Sequence, residues 1–470
     1  MRTMTADYLV IGAGATGMAF TDALVADSDA TVVMVDRRHA PGGHWNDAYP
    51  FVRLHQPSAI YGVNSVALGH DRIDESGLNA GFYEQATAAE ICAYYRRVLE
   101  EQLVGSGQVS FLGAHEHVGQ DGNGHRLISR VTGQETAVQT GKVVDATYLD
   151  TQIPSRHVPD FEVEPGARVV TPDALVDLAE PGEGFTVLGA GKTAMDTCTW
   201  LLEQGVEAVE IRWVRPRDAW VLDRAFVQPL ELVGGTVQGL ADAYQAAAEA
   251  DDLDELYGRA EACGQIHRLD PEVEPDMHHG ATLSAAERQQ LATITQVIRK
   301  GRVRRVGVDA LHLDEGSVPT PRQEVHVDCT ARGLGWAPPR PIFEEQRITP
   351  QPTRFGMLPF SAALIGFLET TERDEDDKNR LTRPNPLPRT RSRLDWAWAT
   401  YIGGVNEATW RSEPDIQAWL QRSRLNIGRA VPHHLDDEQV QAARARIGIH
   451  GRAAITSLAR LLQDDPVRSR

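Results

Sequence analysis

One glycine-rich pattern occurs twice in the chain, and each copy stands between a predicted strand and a predicted helix. The copies are Ile11–Gly17 and Leu188–Ala194. In such a pattern the first glycine permits a tight turn, the second lets the backbone approach a phosphate, and the third small residue allows the helix to pack closely on the strand. The helix N-terminus then presents free N–H groups to an anion. Two copies therefore predict two dinucleotide sites and a hydride that passes between the two dinucleotides.

The loop residues that we expect to contact these dinucleotides come from both copies. They are Gly12, Gly14, Gly17, Gly189, Gly191, Lys192, Thr193 and Ala194.

The second strand of the first unit is followed by an acid. Asp7–Ile11 and Thr31–Val35 are apolar runs that predict two strands, and Asp36 comes directly after the second run. A carboxylate at this place accepts a hydrogen bond from a ribose 2′-hydroxyl and repels a 2′-phosphate. The first unit therefore suits FAD or NAD rather than NADP.

The second unit carries arginines at the corresponding strand end. Val209–Val214 predicts its second strand, and Arg212, Arg215 and Arg217 cluster there, with Lys192 in the glycine turn. A guanidinium can bind a 2′-phosphate through two hydrogen bonds, so Arg212 and Arg215 are candidate NADPH contacts. Arg215 is the stronger candidate, because side chains alternate along a strand and one of the two must face away. The alternative is that these arginines form a solvated strand end.

Composition excludes several classes of protein. The chain has 470 residues, of which 41% are hydrophobic and 24% charged, and its formal net charge is −19. An acidic chain does not favour nucleic acid as a partner, because binding to phosphate backbones needs a basic face. No apolar run reaches the roughly 18 residues of a membrane-spanning helix, and no charged-then-apolar leader precedes the first strand. We therefore expect a cytoplasmic protein with no membrane partner.

The four cysteines are widely spaced and form no Cys-x-x-Cys pair; they are Cys92, Cys198, Cys263 and Cys329. This spacing argues against a dithiol-based disulfide reductase and favours buried free thiols. His278 and His279 are adjacent, so their side chains point apart on a regular element. We expect no metal site.

The segment after Asp36 contains Gly42–Trp45, followed by Tyr49 and Pro50. With this Gly-Gly-x-Trp and Tyr-Pro pattern the chain resembles the flavin-containing monooxygenase and Baeyer–Villiger monooxygenase superfamily. The resemblance implies that the loop passes close to a flavin and that the first unit binds FAD. The candidate FAD contacts on this loop are Arg37, Gly43, His44 and Trp45.

Further candidates come from polar segments with apolar flanks. Residues 52–65 are rich in hydrogen-bonding side chains, and buried polar groups need partners such as a flavin edge. We interpret His55, Gln56 and Asn64 as candidate catalytic residues on the flavin or oxygen face; the alternative is ordinary loop polarity. In the superfamily the last helix of the FAD domain points its N-terminus at the flavin, which makes the backbone N–H of Ser361 a candidate contact.

These observations predict an α/β fold with two Rossmann-like dinucleotide-binding domains, the FAD domain being discontinuous. The resemblance gives residues 1–155 and 326–400 to the FAD domain and residues 156–325 to the NADPH domain, with a helical insertion at about 226–300. Residues 401–470 are expected to be amphipathic helices that cover either the flavin domain or a second copy of the chain in a homo-oligomer.

The resemblance implies an FAD- and NADPH-dependent monooxygenase that acts on a small-molecule substrate and O2 through a C4a-(hydro)peroxyflavin. The family fingerprint Phe-x-Gly-x-x-x-His is incomplete at residues 161–169, which counts against Baeyer–Villiger chemistry. The expected reaction is oxygenation of N or S, or a related hydroxylation. One alternative is an NAD(P)H-dependent flavin oxidoreductase without oxygen insertion. Another is a redox sensor that only holds FAD.

Overall fold

The computed structural model describes residues 2–122, 124–385 and 392–463. Within them the strands are β1 (Arg2–Ile11), β2 (Val32–Val35), β3 (Val109–Leu112), β4 (His115–Asp121), β5 (Gly124–Ser129), β6 (Glu135–Asp145), β7 (Glu162–Val163), β8 (Arg168–Val170), β9 (Phe185–Leu188), β10 (Ile211–Val214), β11 (Ala219–Asp223), β12 (Ile266–His267), β13 (Met277–Leu283), β14 (Gln296–Ile298), β15 (Val303–Val306), β16 (Ala310–Leu313), β17 (Gly316–Pro319), β18 (Val325–Asp328), β19 (Phe343–Glu344) and β20 (Arg347–Ile348).

The α-helices in the same residues are α1 (Ala15–Ala26), α2 (Ala88–Arg97), α3 (Pro172–Leu175), α4 (Lys192–Glu203), α5 (Val233–Glu249), α6 (Leu253–Ala262), α7 (Ala285–Ala292), α8 (Leu358–Glu369), α9 (Glu375–Leu381), α10 (Arg393–Trp410), α11 (Pro414–Arg422) and α12 (Glu438–Gln463).

The first sheet is built around β1, which pairs in parallel with β2 on one side and β6 on the other. β3 extends it beyond β2, and the β4–β5 hairpin joins the far end of β6. β19 and β20 return from late in the sequence to pair beside β6. Helices α1 and α8 pack together, and their apolar residues share one core with the loops after Asp36. The predicted strands and helix of the first glycine unit are therefore confirmed.

The second sheet repeats this arrangement. Its five strands in the described residues run in the order β14-β10-β9-β18-β8, and every pairing is parallel. α4 follows β9 as α1 follows β1, and its buried residues share a core with this sheet. β18 lies inside the sheet, between β9 and the edge strand β8, although it comes from residues 325–328, far along the chain from β9.

The prediction that residues 226–300 are helical needs correction. Helices α5, α6 and α7 do lie there, and Ser284 with Glu287 forms the predicted capping box. However, β12, β13 and β14 also lie in this segment. β12 and β13 flank β11 in a three-stranded sheet, and β14 becomes an edge of the second sheet. These strands are short and are fixed by pairing with distant partners, which outweighs local helical preference.

The predicted helices are present in α10, α11 and α12, with a non-α segment at 423–437 between the last two, while residues 464–470 lie outside the described part of the chain. The long α12 packs along α5, whereas Trp410, Ile416 and Trp419 join the core of the first unit. The tail therefore covers the first unit, as one of the two expectations had it, and also the insertion. Across the described ranges no helix combines the length and the apolar character needed to cross a membrane.

The α/β fold with two Rossmann-like sheets is confirmed. The domain boundaries remain a proposal, supported by the return of β19 and β20 to the first sheet.

Candidate functional site

The first glycine loop forms an open cradle between β1 and α1. Gly12 has a φ of 102°, and its N–H donates to the carbonyl of Val35 at 2.8 Å. α1 starts after Gly14 with no side-chain cap on its free N–H groups. A Cβ on Gly17 would lie 1.9 Å from the carbonyl oxygen of Gly12, so only glycine fits there. The loop can therefore hold an anion at the helix N-terminus.

The carboxylate of Asp36 is fixed beside this cradle. It accepts hydrogen bonds from the N–H groups of Ala13 and Arg38, each at 2.7 Å. Asp36 is buried yet lies in the wall of a large cavity, next to the exposed Arg37. The position suits recognition of a ribose hydroxyl.

A second loop closes over the cradle. Gly43 has a φ of 57°, and a Cβ on it would lie 2.9 Å from the Cα of Gly14, so the two backbones touch. Trp45 donates from its indole N–H to the hydroxyl of Tyr61 at 2.7 Å, which fixes the ring. His44 packs against Trp45, and burial lowers the pKa of His44 to about 4.

The second glycine loop has nearly the same backbone geometry as the first. Gly189 has a φ of 118°, and its N–H donates to the carbonyl of Val214 at 3.1 Å. Gly191 (φ −80°, ψ −179°) matches Gly14 (φ −80°, ψ −173°) at the start of its helix, again without a side-chain cap. The two units are therefore alike in conformation as well as in sequence.

Both loops face one cavity of about 1210 Å³. Its wall includes Gly12, Gly14, Asp36, Gly191, Lys192 and Thr193. A single ligand pocket seldom exceeds about 1,000 Å³, so this space is suited to more than one small molecule.

His55 and Gln56 line the same cavity as the two glycine loops. The carbonyl of His55 accepts from Gln85 at 3.0 Å and from Thr282 at 2.6 Å, which anchors the segment. His55 is exposed to the space of the cavity, and enclosure by the surrounding protein, followed by the nearby charge of Lys192, lowers its pKa to about 3. The lowered pKa favours the neutral imidazole, which can donate one hydrogen bond and accept another.

Asn64 is not brought to the cavity. Its backbone N–H donates to the Asp22 carboxylate at 2.9 Å, and its side-chain oxygen accepts from the Ser423 hydroxyl at 2.9 Å. Its polarity thus serves packing of the loop against α1 and the C-terminal region. This corrects the interpretation of Asn64 as a residue of the flavin face.

Ser361 is also placed away from the cavity. α8 begins at Leu358, so the N–H of Ser361 already donates to the carbonyl of Met357 at 3.0 Å. Its hydroxyl donates to the same carbonyl at 2.8 Å. Both donors are used inside the helix, whereas Leu358 and Pro359 line the cavity. The helix N-terminus faces the site, but one turn earlier than the sequence suggested.

Arg212 is excluded from the second dinucleotide site by its ion pair. Its Nε donates to Glu324 at 2.7 Å, and its guanidinium also reaches the carbonyl of Pro319 at 2.8 Å. The interpretation of Arg212 as a phosphate contact was wrong, because the side chain faces Glu324 across the sheet.

Arg215, in contrast, is the structural counterpart of Asp36. Each directly follows the second strand of its unit, and the backbone N–H of each donates to a carbonyl at the end of the neighbouring strand. Asp36 donates to Leu112 of β3 at 3.2 Å, and Arg215 donates to Ile298 of β14 at 3.0 Å. Arg215 is 4% exposed: its guanidinium lies 4.9 Å from the Trp213 ring centroid and pairs with Asp218 at 3.3 Å, behind the residues that line the cavity. The unlike charges at equivalent places support different dinucleotides in the two units.

Sequence reasoning missed several residues around the cavity. Arg224 is 2% exposed and forms an ion pair of 2.6 Å with Glu287. Gly280 interrupts β13 with a φ of 65°, and a Cβ on it would lie 2.7 Å from the Phe355 ring. Cys329 follows β18 and lines the cavity. The strand pairings that bring these residues together are not visible in local sequence patterns.

The cysteines are unpaired, and Cys263 is exposed, unlike the buried thiol that was expected. Among the described residues, no group of three or more His, Cys, Asp or Glu side chains is arranged to hold a metal.

Buried histidines make stability depend on pH. Burial lowers the pKa of His326, on β18, from 6.5 to about 4. The unfolded chain therefore binds more protons than the folded one between these pH values, so the free energy of unfolding falls as pH decreases through this window. Each such proton contributes a slope of about 1.4 kcal/mol per pH unit.

We expect denaturant titrations at several pH values to show this loss of unfolding free energy. In His326→Leu the free energy of unfolding should depend less steeply on pH, by the contribution of about one proton. A slope that is the same in His326→Leu and in the unmodified chain would contradict this assignment.

Comparisons with known proteins agree with this geometry. A family model described as an NAD(P)-binding Rossmann-like domain matches residues 10–64. The chain is 43% identical over 432 residues to the uncharacterized protein Rv2000 of Mycobacterium tuberculosis and to Mb2023 of Mycobacterium bovis, covering 91% of this chain and 78% of each relative.

Solved structures share the fold at low identity. The open crystal structure of cyclohexanone monooxygenase has a TM-score of 0.51 and 14% identity, covering 88% of this chain and 98% of that one. Polycyclic ketone monooxygenase from the fungus Thermothelomyces thermophila has a TM-score of 0.50 and 12% identity, covering 100% of this chain and 89% of that one. The chain thus belongs to the family of the mycobacterial proteins Rv2000 and Mb2023, and it shares its fold with cyclohexanone monooxygenase and polycyclic ketone monooxygenase.

Proposed function

We propose that this chain is an FAD- and NADPH-dependent monooxygenase. The observation that carries the proposal is the single cavity into which two uncapped helix N-termini open, each behind a glycine cradle. A protein with one dinucleotide site has no need of the second cradle. The fold shared with cyclohexanone monooxygenase supports the same conclusion.

The residues present fit the two cofactors. Gly17 and Gly189 fix the shape of the two loops, because a Cβ would meet backbone oxygen at 1.9 and 2.8 Å. Gly14 and Gly191 leave the two helix N-termini without a side-chain cap, which keeps their N–H groups available to a pyrophosphate. Asp36, in the cavity wall, suits the ribose of FAD. Arg215 is the cation at the equivalent place in the second unit, and it would have to turn from Asp218 to bind the 2′-phosphate of NADPH. When bound, NADPH supplies a hydride and FAD relays the electrons to O2.

The chain's own residues position the reactants and exclude water. The cavity wall near His55 is mainly apolar and includes Leu54, Leu222, Val227 and Phe355. His55 is neutral there, and Lys192 is paired with Asp196. We therefore propose a small, uncharged substrate whose N or S atom is oxygenated, with His55 and Gln56 as hydrogen-bonding partners.

Arg215 is expected to select NADPH over NADH. Arg215→Gln should weaken NADPH binding about tenfold or more, since a charge-assisted hydrogen bond contributes about 1.5–3 kcal/mol, and should leave NADH binding unchanged. Arg212→Lys is the matched control, because it keeps a cation beside Glu324 and should alter neither affinity. Equal loss of NADPH and NADH affinity in Arg215→Gln would argue against a role in 2′-phosphate recognition.

The function itself is tested by reduction and reoxidation of purified protein. We expect a bound flavin that NADPH bleaches without air, followed by one oxygenated product for each NADPH when air and an amine or sulfide are added. Hydrogen peroxide in place of product would favour the oxidoreductase without oxygen insertion. A flavin that NADPH cannot bleach would favour the sensor.

A further inference from the structure

One face of α4 connects the two glycine units. Lys192, Asp196 and Trp200 lie four residues apart and therefore share this face. The segment that follows the first unit docks on it: Tyr49 donates its hydroxyl to Asp196 at 2.8 Å, and Phe51 stacks on Trp200 with ring centroids 4.9 Å apart. The contacts of Asp196 therefore reach both units.

Asp196 holds the cation of the second glycine loop. Lys192 is the first residue of α4, and its ammonium group pairs with the Asp196 carboxylate. A second carboxylate, that of Glu287, is 3.9 Å from Lys192. Glu287 already forms an ion pair with Arg224 at 2.6 Å and accepts a hydrogen bond in the capping box of α7. The side chains of Lys192 and Asp196 are only 12% and 13% exposed, so solvent screens their attraction little.

This arrangement competes with the ligand that the loop is built to bind. A pyrophosphate at the N-terminus of α4 attracts Lys192, which must leave Asp196 to reach it. The departure would leave a mostly buried carboxylate with one fewer partner, which is costly. The hydrogen bond from Tyr49 keeps Asp196 satisfied after that departure.

We propose that Asp196 is a positioning residue that restrains Lys192 before the nicotinamide dinucleotide binds, and that Tyr49 lowers the cost of its release. The inference rests on the proposed function, because it needs a dinucleotide at the second loop. It assigns opposite effects to two residues that hydrogen-bond to each other. A purely structural pair would weaken binding whichever partner was changed.

The test is calorimetric binding of NADP⁺ to the flavin-loaded protein, with thermal unfolding to verify that each variant is folded. Asp196→Asn keeps an acceptor for Tyr49 but frees Lys192, so it should tighten binding about fivefold. Tyr49→Phe and Lys192→Met should each weaken binding. In the Lys192→Met background, Asp196→Asn should have little further effect.

Unchanged or weaker binding by Asp196→Asn would overturn the inference, as would tightening that persists without Lys192. If the unmodified protein and Asp196→Asn both fail to bind NADP⁺ at all, the proposed function fails as well. The two failures are therefore distinguishable in one series of titrations.

Discussion

Purified Gly17→Ala protein is expected to lack the yellow colour of bound flavin. A Cβ at this position would lie 1.9 Å from the carbonyl oxygen of Gly12, so the loop and the first turn of α1 must separate. That separation moves the free N–H groups away from the place of the pyrophosphate. The measurement is the visible flavin absorbance per protein after purification and after incubation with added FAD.

Gly258→Ala provides the matched control for this variant. Gly258 is also a helical glycine, in α6, but it is exposed and a Cβ there meets nothing within 4 Å. Alanine is preferred over glycine in a helix by about 1 kcal/mol, so this variant should keep its flavin and be slightly more stable. If circular dichroism shows that Gly17→Ala is folded and the variant still carries a full complement of flavin, the first glycine loop is not the FAD site.

Gly189→Ala is expected to impair the NADPH site and to leave the flavin site intact. The φ of 118° disfavours any side chain, and a Cβ would lie 2.8 Å from the carbonyl oxygen of Cys329. The first unit is untouched, so the protein should remain yellow. Reduction of this flavin by NADPH should slow by about a hundredfold, a loss of roughly 2.7 kcal/mol, which stopped-flow absorbance without air would measure.

Gly205→Ala tests whether backbone strain alone has this effect. Gly205 also has a positive φ, of 88°, but it is exposed and a Cβ on it meets nothing within 4 Å. The substitution should cost about 1–2 kcal/mol of stability and leave the rate of reduction unchanged. If both variants are reduced as fast as the unmodified protein, the second loop is not the NADPH site.

The sequence was most informative where one short segment determines structure by itself. The strand, glycine turn and helix of each unit are contiguous, and the glycines are required by backbone geometry at Gly12 and Gly189. Asp36 and Arg215 could be compared because each directly follows a strand. Local patterns therefore sufficed for the fold class and for the loops that line the cavity.

The sequence was least informative where a distant partner decides what a side chain does. Alternation of side chains along β10 indicated that Arg212 and Arg215 face opposite ways. It did not indicate that Arg212 forms an ion pair with Glu324. Asn64 accepts a hydrogen bond from Ser423, in the C-terminal region. Tyr49 donates a hydrogen bond to Asp196, in the second unit. No local signal distinguishes such polar residues from those that face a ligand.

The position of β18 between β9 and β8 constrains how the chain can assemble during translation. β9 gains one of its two parallel neighbours only when residues 325–328 have left the ribosome. Until then the nascent second sheet exposes an unpaired apolar edge at Phe185–Leu188, a surface prone to aggregation. The second glycine unit is thus not an autonomous folding module, and expression of a fragment that stops before Val325 should yield insoluble material.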